Sequence, residues 1–218
     1  MLRINDIAPD FEANTTLGKI QFHEWLSNSW CVLFSHPKDF TPVCTTELGY
    51  MAKIEEEFKK RNCKIIGLSV DSLVDHENWK KDIEEIHSAK VNYPMISDES
   101  LIISKLYNML PATEINDGKR TAMTNSTVRS IFLIDPDKKI RMMLTYPMTT
   151  GRNFNEIIRV LDSVQLTSKK KVATPANWEK DDDVIIVPAV DDNEAKDLFG
   201  DFRKIKPYLR YTKVDFNS

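Results

Sequence analysis

An α/β fold built on a mixed sheet is predicted by three features of the chain. A short, nearly continuous apolar run, Trp30-Cys31-Val32-Leu33-Phe34, has the look of a strand buried on both faces. A second such run, Ile65-Ile66-Gly67-Leu68-Ser69-Val70, follows an intervening helical stretch, as parallel strands with a crossover helix require. Later the order changes: Ser130–Ile134 and Ile140–Tyr146 flank Asp135-Pro136-Asp137-Lys138, whose turn chemistry predicts an antiparallel hairpin.

Between these strands the spacing predicts a helix from about Pro42 to Arg61, with apolar residues at Val43, Leu48, Met51, Ala52, Ile54 and Phe58. Ser72 is placed to cap a helix running to about His87. Pro94-Met95-Ile96 is a short strand candidate, Leu101–Leu106 a short helix, and Asn153–Leu166 a closing helix. Strand, helix, strand, helix, then hairpin and helix is the order of a thioredoxin-like α/β sheet. The polar stretch 112–127 is the longest loop expected within it. Past Thr167 the composition turns basic and then acidic, with Pro175, Pro188 and Pro207. The chain therefore divides into a thioredoxin-like domain, 1–166, and a small C-terminal domain or arm, 167–218. The arm should hold a strand at Val184–Val187 and a helix around Glu194–Phe199.

Composition narrows the function. With 41% hydrophobic and 29% charged residues over 218 positions, the chain has a globular profile, and no run approaches the roughly 20 apolar residues of a membrane helix. A net charge of −3 gives no reason to expect nucleic acid, and Lys169-Lys170-Lys171 is nearly cancelled by Asp181-Asp182-Asp183. The N-terminal residues carry no signal-peptide pattern, so reduced thiols and a cytoplasmic location are expected. Cys31, Cys44 and Cys63 are 13 and 19 residues apart, a spacing that fits neither a disulfide framework nor zinc. No two of His23, His36, His76 and His87 sit at helical ligand spacing, so neither metal nor cofactor is expected.

Chemistry concentrates at His36-Pro37-Lys38-Asp39-Phe40-Thr41-Pro42-Val43-Cys44-Thr45-Thr46-Glu47. Thr41 suits an N-cap and Pro42 the first helical position, where a missing N–H costs nothing. Cys44 then falls in the first turn, where free N–H groups and the helix dipole favour a thiolate. Cys31 lies mid-strand and reads as a small buried hydrophobe. Cys63, between a helix end and a strand, reads as packing. The dipole alone contributes on the order of 1 kcal/mol, and Glu47, one turn on, opposes it unless a cation neutralises the carboxylate. A fast thiol chemistry at Cys44 needs an arginine near the sulfur, and spacing does not say which.

The segment Pro37–Cys44 resembles the Pro-x-x-x-Thr/Ser-x-x-Cys signature of peroxiredoxins, and the chain resembles their one-cysteine, peroxiredoxin-6 class in particular. Pro9–Thr16, Leu33–Pro37, Thr149–Phe154 and Tyr208–Thr212 carry the likeness nearly end to end. The resemblance implies a thiol peroxidase with Cys44 as the peroxidatic cysteine. Thr41 would bond the sulfur and the bound peroxide, and Pro37 would shield the site. Arg129 would hold the thiolate and the departing oxygen, with Glu47 orienting it and Arg152 completing the network. His36 is the histidine of this class, either catalytic or merely bonded to its loop. Two-cysteine relatives carry a resolving cysteine where this chain has Thr174, so an external thiol, of glutathione or thioredoxin type, must reduce the oxidised sulfur. A helix from Pro42 to Arg61 would also hold Cys44 and Cys63 roughly 28 Å apart. Edge-to-edge homodimerisation through Ile140–Tyr146 is implied as well.

The same class is credited with a phospholipase A2 activity, whose Ser-His-Asp set would fall on Ser29, His23 and Asp137. Here the serine sits in Ser27-Asn28-Ser29-Trp30-Cys31, without the glycines a strained nucleophile elbow depends on. A redox-sensing or chaperone role is the non-enzymatic alternative, which steady-state turnover with an external thiol would separate from catalysis.

Overall fold

The structure is a computed structural model that describes residues 1–112 and 126–215, so most of the polar loop expected at 112–127 lies outside the described residues. The chain forms two compact units, Met1–Arg152 and Asn153–Ser218.

In the first unit, a seven-stranded sheet runs in the order β2-β1-β5-β4-β3-β6-β7. Its strands are β1 (Glu12–Thr15), β2 (Gly18–Gln21), β3 (Trp30–Ser35), β4 (Cys63–Ser69), β5 (Met95–Ser97), β6 (Arg129–Ile134) and β7 (Ile140–Tyr146). Strands β3, β4 and β5 are parallel to one another, β6 joins antiparallel to β3, and β7 pairs antiparallel with β6. All six residues of β3 are buried, which is why that segment is apolar throughout rather than alternating. The sheet packs Leu33, Ile66, Leu68, Phe132 and Ile134 into one core with Phe11, Phe22 and Tyr107. Phe11 stacks on Phe22 at 4.6 Å, and Tyr107 meets Phe132 edge-on at 5.2 Å.

Helices connect the strands: α1 (Phe22–Leu26), α2 (Pro42–Lys53), α3 (Glu55–Lys59), α4 (Leu73–His87) and α5 (Ile102–Leu106). The single helix expected from Pro42 to Arg61 is broken at Ile54, whose φ of −102° and ψ of 9° leave helical geometry. The helix-length estimate of the Cys44–Cys63 separation therefore does not hold, and the sheet supplies the separation instead. Cys63 pairs with Trp30 at the N-terminal ends of β4 and β3. Cys44 follows the opposite, C-terminal end of β3. Five residues of strand from Cys31 to His36 span roughly 16 Å, beyond the ~7 Å limit of a disulfide. The hairpin β1–β2 has no counterpart in the sequence pattern, because its mostly polar residues carry no strand signal.

The second unit contains α6 (Phe154–Lys169), β8 (Val172–Ala173), β9 (Val184–Ile186), α7 (Asp192–Phe199), β10 (Arg203–Lys206) and β11 (Leu209–Thr212). Its four strands are ordered β10-β11-β9-β8, all antiparallel. The division falls before α6 rather than at the composition change near Thr167, because Leu166 of α6 packs with Val172, Trp178 and Val184 in a core of this unit's own.

Helix α4 starts as the sequence implies: the Ser72 hydroxyl accepts the Asp75 N–H at 3.1 Å and donates to the Asp75 carboxylate at 2.7 Å. Ser72→Ala should therefore cost about 1 kcal/mol. Urea denaturation should show it as a lower midpoint with an unchanged m-value.

Candidate active site

Strand β3 delivers His36 to the loop Pro37–Thr41, and α2 begins at Pro42, so Cys44 is the third helical residue. Thr41 holds the N-cap position with extended backbone, yet its side chain makes no cap hydrogen bond. The hydroxyl donates instead to the Lys38 carbonyl at 2.8 Å, closing the loop on itself. Phe40 lies in the left-handed region at φ 55°, an uncommon place for a bulky residue. Pro37 is buried, and so is Cys44.

The cation that the sulfur needs comes from the first residue of β6. Arg129 Nη1 donates to Cys44 Sγ at 3.3 Å and to Glu47 Oε2 at 2.6 Å, and its Nε donates to the Met148 carbonyl at 2.8 Å. Arg152 grips the same carboxylate from the other side. Its backbone N–H and Nε donate to Glu47 Oε1 at 2.8 and 2.9 Å, and Nη2 donates to Oε2 at 2.7 Å. Its Nη1 donates to the Ser35 and Ser130 carbonyls, tying the guanidinium to β3 and β6. Burial pushes the Glu47 carboxyl up, but the hydrogen bonds and charge of Arg152, joined by Arg129, hold it below its ordinary value. Two guanidinium charges against one carboxylate leave one positive charge over, beside the sulfur. Glu47 is thus not an isolated negative charge near the sulfur, as its position alone suggests; it is bonded to the arginine that donates to Cys44.

His36 is buried, with Nε2 2.7 Å from Asp39 Oδ1. Asp39 in turn reaches His76 and Asp71, two residues to which the sequence pattern assigns no part in the site. Nothing in the local pattern could have marked them, since Asp71 and His76 lie beyond β4.

Elsewhere the structure separates what the sequence put together. The Ser29 hydroxyl donates to Asn62 Oδ1 at 3.2 Å, His23 Nε2 is bonded to the Ala8 carbonyl at 2.8 Å, and Asp137 is an exposed turn residue. No hydrogen bond joins these three described residues into a lipase set. Burial pushes the thiols of both Cys31 and Cys63 well up, which favours their protonated form.

Comparison with known proteins agrees with this geometry. The AhpC/TSA family matches residues 4–143, and the C-terminal domain of 1-Cys peroxiredoxin matches residues 163–201. The mitochondrial peroxiredoxin PRX1 of Saccharomyces cerevisiae is 55% identical over 97% of this chain and 81% of its own length. Mouse peroxiredoxin-6 is 49% identical over 97% of both chains.

The chain belongs to the one-cysteine peroxiredoxins.

Among solved structures, the peroxiredoxin 6 of Arenicola marina superposes with a TM-score of 0.91 at 46% identity, covering 98% of both chains. The yeast mitochondrial 1-Cys peroxiredoxin superposes at 0.88 and 53% identity, covering 98% of this chain and all of that one. A 2-Cys peroxiredoxin from Plasmodium vivax follows at 0.73 and 27%, over 85% of this chain and 93% of its own. As a peroxiredoxin, this chain is a thiol-dependent peroxidase with a thioredoxin-like fold and a C-terminal extension.

The Arg129 contact sets a testable limit. A thiol with a pKa of about 8.5 is roughly 3% ionised at neutral pH, so thiolate formation alone accounts for at most about thirty-fold in rate. Arg129→Gln should lower the peroxide rate constant by about 10²-fold or more, well past its effect on the thiolate fraction. Stopped-flow kinetics and thiolate absorbance on one sample measure both, and equal losses would reduce Arg129 to a pKa tuner.

Proposed function

We propose that Cys44 is the peroxidatic residue and that the Arg129–Glu47–Arg152 cluster drives its reaction. The observation that carries this is the Arg129 guanidinium bonded at once to the sulfur and to a buried carboxylate. The Cys44 thiolate attacks the terminal oxygen of the hydroperoxide. An S–O bond forms as the O–O bond breaks, and the departing oxygen leaves as alkoxide or hydroxide and takes a proton. Arg129 donates to that developing charge. Because the Thr41 proton is committed to Lys38, the Thr41 oxygen faces the peroxide as an acceptor. Pro37 shields the pocket, and the wider substrate class includes hydrogen peroxide and organic, including phospholipid, hydroperoxides.

The sulfenic acid is then reduced from outside. One thiol condenses with it, releasing water and forming a mixed disulfide, and a second thiol releases Cys44. Cys31 and Cys63 sit at the far end of the sheet, and Thr174 occupies the place of a resolving cysteine. The yeast relative is described with glutathione and thioredoxin systems, and a reductant of that type is proposed here. The protein is further proposed to work in the cytoplasm as a homodimer. Strand β7 is an edge of the seven-stranded sheet and carries Met142, Met143 and Leu144 with no proline, a surface suited to pairing with its own copy. No helix among the described residues is long and apolar enough to cross a membrane.

Cys44→Ser should abolish peroxide reduction, whereas Cys31→Ser and Cys63→Ser should keep most of it; near-normal turnover in Cys44→Ser sinks the reading. Mass spectrometry after one equivalent of peroxide should find one added oxygen on Cys44, trappable by dimedone, rather than the loss of two hydrogens. In sedimentation at micromolar concentration a species of twice the 25.2 kDa chain mass should dominate, and a lone monomer would count against the β7 interface.

A further inference from the structure

Beside the cluster that holds Cys44 lies a second group of buried titratable side chains: His36, Asp39, Asp71 and His76, none more than 7% exposed. Asp39 is its hub. Oδ1 is 2.7 Å from His36 Nε2, Oδ2 is 2.5 Å from His76 Nδ1, and the Asp39 backbone N–H donates to Asp71 Oδ2 at 2.9 Å. The remaining ring nitrogen of His76, Nε2, is 3.1 Å from the Ile96 carbonyl.

Proton positions follow from what each atom can do. A carbonyl only accepts, so His76 Nε2 carries a proton. Burial raises the Asp39 carboxyl, but the two histidine bonds outweigh it and hold Asp39 below its ordinary value, so it too is an acceptor. His76 Nδ1 must then carry a proton as well, and the ring is a cation. His36 presents Nε2 to Asp39, and its Nδ1 has no hydrogen-bond partner among the described residues. Three donor atoms of His36, Asp39 and His76 lie within 4.8 Å of one another. Each imidazole nitrogen nevertheless sits 2.5 or 2.7 Å from its own carboxylate oxygen, a distance that a proton closes and an intervening cation would open.

We propose that His76, on α4, is a positioning residue for the peroxidase reaction: its imidazolium fixes Asp39, and Asp39 fixes the Pro37–Thr41 loop that frames the Cys44 sulfur. This rests on the peroxidase reading of Cys44. Phe40 supplies the need for such a clamp, because a bulky residue at φ 55° persists only where its neighbours over-determine it. Asp39 before it is held by His36, His76 and Asp71, and Thr41 after it by Lys38. Trp79, one turn along α4 from His76, completes the grip. Its ring lies 5.3 Å from that of His36 and 6.3 Å from that of Phe40, and its indole N–H donates to Thr45 of α2 at 3.2 Å.

The groups facing His76 are Asp39 from the loop, Asp71 beyond β4, and the His36 ring 6.1 Å away. Burial lowers the affinity of His76 for its proton, but the bond and charge of Asp39, with the Ile96 carbonyl and Asp71, raise it overall. A group raised in this way contributes fully below the ordinary histidine value, and its contribution is lost as pH rises through the raised one. Asp39 is shifted down, so its contribution is lost only as pH falls below the ordinary carboxylate range. The clamp therefore holds at neutral pH and loosens on the alkaline side.

The test compares His76→Leu, which removes both donors, with His76→Asn, whose amide keeps an uncharged donor near the Nδ1 position. Hydrogen peroxide and iodoacetamide rates at Cys44 are measured on the same samples from about pH 6 to about pH 9. His76→Leu should react with peroxide about tenfold or more slowly, while alkylation, which needs only thiolate and access, changes less than about threefold. His76→Asn should recover most of the peroxide rate at neutral pH and lack the alkaline decline that the clamp requires of the native protein. Should His76→Leu not fold, the pH profile of His76→Asn decides alone: loss of the decline supports the clamp, and its retention overturns it. Native rates and profile in both variants, or proportional loss of both reactions, would also overturn it. A native protein whose Cys44 ignores peroxide would instead remove the peroxidase reading itself.

Discussion

Glu47 is a carboxylate at 3% exposure, in an interior where an unpaired charge costs several kcal/mol, and everything around Cys44 is arranged to meet it. Four N–H groups converge on its two oxygens, one from Arg129 and three from Arg152. The pairing is reciprocal. Without Glu47, two guanidinium groups would be buried facing each other, and without both arginines the carboxylate would not stay ionised. Such a cluster adds little net stability beside an apolar core of equal volume, but breaking one member typically costs about 3–5 kcal/mol. What it provides is a fixed guanidinium against a sulfur, a contact that neither the helix start nor the sheet could supply.

Three elements separate in sequence meet there: the first turns of α2, the start of β6 and the segment entering the second unit at Arg152. The antiparallel insertion of β6 beside β3 brings Arg129 level with the residues that follow β3. Arg152 adds bonds to Ser35 and Ser130, so the same guanidinium that neutralises Glu47 also staples the ends of those two strands. Sheet topology and site electrostatics are thus one structure. The His36–Asp39–His76 group does for the loop what Glu47 does for the arginines, using a buried carboxylate as the hub between two donors.

Much of this was legible in the chain, and the limits follow from range. Buried strands β3 and β4 announce themselves by apolar runs, β6 by the turn chemistry that follows it, and Ser72 caps its helix as its side chain allows. Cys44 and its loop are local in sequence, so helix-start chemistry alone picks that thiol out. Arg129 came only from family resemblance, because a partner 85 residues away has no local signature. His76 and Asp71 carry no local mark of a role for the same reason, and Thr41 holds the N-cap position although its hydroxyl donates to Lys38 and accepts no helix N–H. The break at Ile54 involves neither proline nor glycine, and the short polar strands β1 and β2 lack any hydrophobic alternation.

Glu47 acts either as the holder of Arg129 or as a neighbouring negative charge, and the two roles differ in sign. The most direct measurement is the hydrogen peroxide rate constant of Glu47→Gln beside its thiolate fraction at neutral pH. As a mere charge, Glu47 disfavours the thiolate, so removing it should leave the rate equal or higher. As the holder, its loss should slow the reaction by about tenfold or more with the thiolate fraction undiminished. A folded Glu47→Gln protein that reacts with peroxide as fast as the native one would contradict the account.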